Sequence, residues 1–203
     1  MSSPEVNALQ ELRKGSFYAI IANVLISIAV ILVVGSLFAI LFSFSSLASP
    51  YSSSASPFSL FASVGSLAGV LILEILALVF TILSILRLRS GFRGLEAVGK
   101  DVGGVTGTTL WIIGVVLTII GVGAILTLVG LILIGLAIRR VGQIYNVSNI
   151  NIGGILIAIG SVIPFLAFIG FILTYMGLGK LLNTMGPGGQ PPSGPSPGVT
   201  PTQ

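Results

Sequence analysis

The chain has no cysteine and no histidine, and aspartate occurs once, at Asp101. Without cysteine there are no disulfides, thiolate ligands or thiol nucleophiles, and the redox compartment leaves no mark. Without histidine there is no imidazole metal ligand and no histidine acid–base chemistry. A Ser–His dyad, a metal cluster and an intramembrane aspartate pair are therefore excluded by inventory. The expectation is a protein that is not an enzyme, with no catalytic residue, cofactor or metal site. Charge is also scarce, at 7% of residues, against roughly a quarter in soluble domains.

What is present is aliphatic. Over the 203 residues the mean hydropathy is +1.13. Water does not solvate that much Ile, Leu and Val on a folded surface, so the solvent expected is lipid. Four apolar segments stand out, at 17–42, 60–86, 108–138 and 150–179. The basic residues fall between or before them, as Arg13 with Lys14, Arg87 with Arg89, Arg93 and Lys100, Arg139 with Arg140, and Lys180 alone. Flanking charges of this kind meet lipid headgroups. The net charge of +4 is therefore not read as a nucleic-acid footprint.

The first two segments suit single spanning helices. The last two, of about 30 residues, would be roughly 45 Å long as straight helices, against about 30 Å of hydrocarbon. Lys and Arg favour the cytoplasmic side of short loops. If 108–138 and 150–179 each fold back on themselves, all nine basic residues share one side. Gly121-Val122-Gly123 and Pro164 supply the breaks. The expected fold is all-α, a polytopic transmembrane bundle of three helical hairpins, with six helices of which the last four are short. The alternative is four long helices. Both termini are then cytoplasmic.

Three regions follow: an amphipathic lead-in at 1–16, a transmembrane domain at 17–182, and a Pro/Gly-rich tail at 183–203 expected to be disordered. Ser2-Ser3-Pro4-Glu5 fits a capping box with proline near the helix start. The lead-in reads equally as an interfacial anchor or as the first turns of a helix continuing into segment one. The loop 43–59 is uncharged and serine-rich, a flexible connection. Segments three and four resemble each other at a shift of forty: Gly114 meets Gly154, Leu126 meets Leu166, Gly130 meets Gly170 and Arg140 meets Lys180. Two glycine- and isoleucine-rich strings also match by chance, so a repeat and a coincidence both stand.

Two motifs mislead. Gly94-Leu-Glu-Ala-Val-Gly99-Lys100-Asp101 nearly spells a phosphate-binding loop, but Asp101 stands where a hydroxyl should hold Mg²⁺, and no strand precedes it. No nucleotide is expected. The string reads instead as an amphipathic loop with Leu88, Phe92 and Leu95 on one face and a Glu96–Lys100 pair. Asn146-Val147-Ser148 matches a glycosylation sequon on the wrong side of the membrane. Gly65 and Gly69 form a helix-packing pair, because two glycines on one face let backbones approach.

Glu74 is the one charge inside an apolar segment. An ionised carboxylate in lipid is costly, so it should face protein or water, or be protonated. Ser63, Ser66, Ala77, Thr81 and Ser84 fall on its side of a helix, and in an antiparallel hairpin Ser27 and Asn23 lie near its depth. Glu74, Ser27 and Asn23 are thus a candidate intramembrane polar site. It reads as a proton- or cation-linked carboxylate in a transport path, or as a neutral acid hydrogen-bonded between helices.

The strings Leu9-Gln-Glu-Leu-Arg-Lys-Gly15, Ser90-Gly-Phe-Arg-Gly-Leu95, Arg140-Val-Gly-Gln-Ile-Tyr-Asn146, Ile152-Gly-Gly-Ile-Leu156, Ile163-Pro-Phe-Leu-Ala-Phe-Ile-Gly170 and Tyr175-Met-Gly-Leu-Gly-Lys180 resemble an uncharacterised multi-pass membrane family of thermoacidophilic archaea, domain of unknown function 973, over residues 5–182. That resemblance implies an archaeal cell membrane and supplies no activity, ligand or site. The reading is a structural or assembly component that packs through Gly-rich faces. Its partners are lipids and a second copy or another membrane protein. The alternatives are a small transporter or channel using Glu74, and an accessory subunit of a membrane complex.

Overall fold

A computed structural model describes residues 3–47, 57–118 and 123–185, with side chains omitted at 39–40, 42–47 and 57–67. The described residues form six helices and no strand: α1 (Pro4–Leu47), α2 (Pro57–Ala97), α3 (Gly104–Thr118), α4 (Gly123–Ile144), α5 (Ser148–Gly160) and α6 (Pro164–Thr184). Of the connection expected at 43–59, residues 43–47 and 57–59 belong to α1 and α2, and of the tail expected at 183–203, residues 183–184 belong to α6; 48–56, the chain from 186, Gly121 and Val122 lie outside the described residues.

The helix count follows the hairpin reading rather than four long helices. Segment 108–138 divides between α3 and α4, and 150–179 between α5 and α6. The arms are unequal, however. α3 and α5 have 15 and 13 residues, whereas α4 and α6 have 22 and 21. The second arms outrun their apolar runs because helical hydrogen bonding continues through Arg139, Arg140 and Lys180. Consequently α4 and α6, with α1 and α2, are long and apolar enough to cross a membrane, while α3 and α5 are shorter apolar helices.

The helix ends follow local chemistry. Ser3 caps α1, its Oγ accepting from Val6 N at 3.3 Å, and Pro4 occupies the first helical position, where no N–H is needed. The cap is therefore Ser3, which leaves Glu5 at the second helical position, one place short of the capping-box position. Residues 4–16 are the first turns of α1 without a break. At the end of α2, Gly99 has φ +80°, and Lys100 N donates to Leu95 O at 2.9 Å; this left-handed cap satisfies the last carbonyls. Asn146, with φ +53°, does the same for α4, Val147 N donating to Gly142 O at 2.9 Å. The near-phosphate-loop glycine and the sequon asparagine are thus helix stops. Pro164 opens α6 after a turn at 161–163.

The chain divides into two compact units, one comprising Met1–Phe17 with Ile85–Gln203, the other Tyr18–Ser84. In the first unit the helices run antiparallel through glycine contacts. Gly91 of α2 lies against Leu12 and Ala8 of α1, and Gly15 against Leu88. Gly107, Gly114 and Gly130 join α3 to α4; Gly135, Gly142 and Gly154 join α4 to α5; Gly153, Gly160 and Gly170 join α5 to α6. Close approach of this kind substitutes van der Waals contact for a hydrophobic drive that lipid does not provide. Leu12, Ser16, Leu88, Ile138, Val141, Ile150, Thr174 and Leu178 meet at the centre without room for a water molecule. The buried hydroxyls of Ser16 and Thr174 donate to Leu12 O and Gly170 O, at 3.0 and 2.8 Å, so no polar group there lacks a partner.

The two hairpins repeat, in a register that the uniform forty-residue shift describes only for the second arms. Gly130 faces Trp111 and Gly170 faces Ile157; Gly107 faces Ile134 and Gly153 faces Thr174; Gly114 faces Thr127 and Gly160 faces Ala167. The structural counterpart of Gly114 is therefore Gly160, not Gly154. The connection of the first hairpin is six residues longer than that of the second, counted between these contacts, and this breaks a uniform shift.

Among the described side chains of the second unit, the buried ones are small: Ala19, Ala22, Ala29, Val70 and Ala77, with Ser84. The Tyr18 and Phe80 rings lie 6.0 Å apart. Larger aliphatic side chains, including Ile31, Leu71, Ile72 and Ile75, are exposed.

Candidate functional site

The charged residues of the first unit collect at one end. There the start of α1 meets the ends of α2, α4 and α6. Glu5 is the centre of one network: Tyr145 donates its hydroxyl to Glu5 Oε1 at 2.6 Å, Lys100 forms an ion pair with the same carboxylate, and the Lys100 ammonium stands 4.3 Å from the centre of the Tyr145 ring. α1 is 44 residues long, about 66 Å against about 30 Å of hydrocarbon, and its apolar run begins only at Phe17, after Glu5 and Glu11. Burial pushes the Glu5 carboxyl up, but the Lys100 and Tyr145 hydrogen bonds and the Lys100 charge outweigh it and hold the group below the usual carboxylate value. Burial, then the bond to Glu5 and its charge, push the Tyr145 phenol up, so it remains a donor.

Glu11 anchors a second network with Lys14 at 2.9 Å and Arg87 at 2.8 Å. Its carboxyl is raised by burial and lowered further by those two cations, ending below the usual value. Arg13, on the same helix, joins neither network. Its guanidinium lies 4.7 Å from the Tyr175 ring centre, Nη2 donates to the Tyr175 hydroxyl at 3.4 Å, and Gly179 lies beneath it. Arg140 reaches Gly103. The spacing of these residues, up to 162 positions apart, has no periodic signature, so sequence reasoning missed all three arrangements. The one available signal was that Glu5 and Glu11 lie among basic clusters.

Lys100 also corrects the reading of its own loop. Leu88, Phe92 and Leu95 are fully buried on α2, not on an amphipathic surface loop. The lysine lies beyond the helix end and pairs with Glu5 rather than Glu96.

The sequence-predicted polar site lies in the second unit. Glu74 is exposed on α2, next in sequence to Ile75, which is 61% exposed. Asn23 Nδ2 donates to Ala19 O and Ser27 Oγ to Asn23 O, each at 2.8 Å, so both side chains bond their own helix. Among the described residues no hydrogen bond or ion pair joins either to Glu74. Of the residues expected on the face of Glu74, Ala77 and Ser84 are buried and Thr81 is half-buried; the side chains of Ser63 and Ser66 lie outside the described residues. The Gly65 side of the packing pair is likewise outside them. At Gly69, as at Gly35, an added methyl meets nothing within 4 Å.

A family model described as "Protein of unknown function (DUF973)" matches residues 5–203. That span takes in the serine-rich connection and the Pro/Gly tail, which the resemblance drawn from the sequence leaves out. Comparison with curated proteins and with solved structures gives no match.

Proposed function

The chain belongs to the DUF973 family, and from that premise we propose an integral protein of an archaeal cell membrane, with both termini cytoplasmic. In this reading it is a non-enzymatic structural or assembly component that packs in lipid with a second copy or another membrane protein, including as an accessory subunit. The observation that carries it is the coincidence of four helices long and apolar enough to cross a membrane with a single cation-rich end in the first unit. Such an end belongs on the cytoplasmic side. The archaeal source rests on the resemblance of the quoted strings.

Single cysteines at Gln143 and Ser193 test the topology against a background free of native thiols. An impermeant maleimide should label both only after the cells are opened; labelling of Gln143 on intact cells refutes it. Recovery of a stable complex after gentle solubilisation tests the assembly role.

A second reading, a proton- or cation-linked transporter, is favoured by one feature: a carboxylate exposed on an apolar helix surface with no partner among the described residues. Intramembrane acids are functional candidates for that reason. Flux into vesicles that falls in Glu74→Gln would support transport. Equal, near-zero flux in both proteins removes it.

A further inference from the structure

Arg13 is the cation that the folded chain leaves without a counter-charge in a prepared seat. The two carboxylates nearest it in sequence are engaged, Glu5 with Lys100 and Glu11 with Lys14 and Arg87. No ion pair in the described residues includes Arg13, Arg89, Arg93, Arg139, Arg140 or Lys180. What distinguishes Arg13 from the rest is its setting. Its flat guanidinium rests on the Tyr175 ring; its buried Nε donates to nothing, which it shares with Arg89, but among the described residues Arg89 has no ring beneath it. Gly179 leaves the space beneath, where a methyl would come within 3.3 Å of Nη2. A guanidinium has five N–H donors in a planar fork that matches phosphate oxygens, and here only Nη2 has a protein acceptor. One helical turn along α1, Phe17 is 44% exposed, with its ring 5.7 Å from that of Tyr175. An aromatic, apolar surface thus adjoins a cation held flat, with Lys180 exposed next to Gly179 in sequence. A simply hydrated surface arginine does not account for a buried, unpartnered Nε.

We propose that Arg13, seated on Tyr175 above Gly179, binds the phosphate of an anionic lipid headgroup, with Phe17 against the start of the acyl chain. The surplus of unpaired cations at this end favours a lipid with net negative charge over a zwitterionic one, whose own cation offsets its phosphate. The inference rests on the membrane reading above, and the two fail separately. Release of the chain from membranes by alkaline carbonate sinks the membrane reading. The lipid site is decided on the full chain in neutral detergent, by titrating short-chain phosphatidylglycerol, phosphatidylcholine of the same chains, and inorganic phosphate, and reading bound lipid by native mass spectrometry.

Wild type should bind phosphatidylglycerol more tightly than phosphatidylcholine. Arg13→Gln should weaken phosphatidylglycerol about fivefold, the worth of one basic residue at an anionic surface. Gly179→Leu, whose side chain would fill the space beneath the guanidinium and displace it without removing charge, should weaken it in the same direction; this variant decides the matter if Arg13→Gln does not fold. Equal binding of the two lipids, or wild-type affinity in the folded variants, overturns the proposal. So does displacement of the lipid by millimolar inorganic phosphate, which would mark a free-anion site.

Discussion

The two units are built from the same aliphatic alphabet and use it in opposite ways. The first buries large side chains completely, among them Leu12, Phe92, Ile138, Ile150 and Phe171, and sets glycines where backbones touch. The second buries mostly alanine and leaves its large side chains outward; its described glycines, Gly35 and Gly69, face open space. In water the second arrangement would be costly; in hydrocarbon an outward leucine is already solvated. The difference shows that apolar composition alone does not specify an interior. Small residues at the crossing points make one.

The contrast is sharpened most by removing a large side chain from each unit. Phe92→Ala should cost about 3–5 kcal/mol, the loss for a fully buried aromatic, whereas Ile72→Ala at an exposed position should stay within about 0.5 kcal/mol. Denaturation of the purified chain in mixed micelles measures both. Comparable costs would break the comparison.

Adding a methyl is the converse test. In Gly154→Ala the new carbon would come within 2.8 Å of Arg139 Cα and closer still to the Gly135 carbonyl oxygen. Backbone atoms do not move aside as a flexible side chain does, so the cost should be about 1–3 kcal/mol. Gly69→Ala meets no neighbour and should be neutral or gain up to about 1 kcal/mol from helix propensity. The same micelle denaturation reads this pair, and a destabilised Gly69→Ala would instead reveal a partner packed on that face.

The smallest effect belongs to the polar end of the first unit. Glu5→Gln removes the charge that holds Lys100 and should cost about 1 kcal/mol. Because Glu5 and Glu11 titrate below their ordinary value of 4.5 when folded, their contribution is present in full above that value. It is lost as pH falls through the folded-state values. Melting of wild type should therefore be flat from pH 7 to about 5 and drop below 4.5, with a shallower drop in Glu5→Gln. A fall that begins near neutrality would show that other groups control it.

Much of the fold was legible because it rests on local or additive properties. Pro164 lacks the N–H that a helix interior needs and suits a helix start, and the cation clusters mark where apolar runs end. The lengths of α4 and α6 were not legible, since a helix does not stop where hydropathy does. The repeat was half legible: Gly130 and Gly170 align by counting, but the longer first connection carries Gly114 onto Gly160. The glycine pair at 65 and 69 drew attention by spacing, yet spacing says nothing of what lies opposite. Of the polar features, Glu74 was visible as an isolated charge, while Arg13 and Tyr175 were not, because only folding brings them together.

By itself the sequence determined where the apolar runs lie, where glycine and proline interrupt two of them and where the cations cluster, because each follows from side chains taken one at a time. Only the tertiary structure decided which glycines touch, which carboxylate takes which cation, and which arginine comes to rest on a tyrosine ring. Those are pairings between distant positions, and their energies exist only once two backbones are within reach.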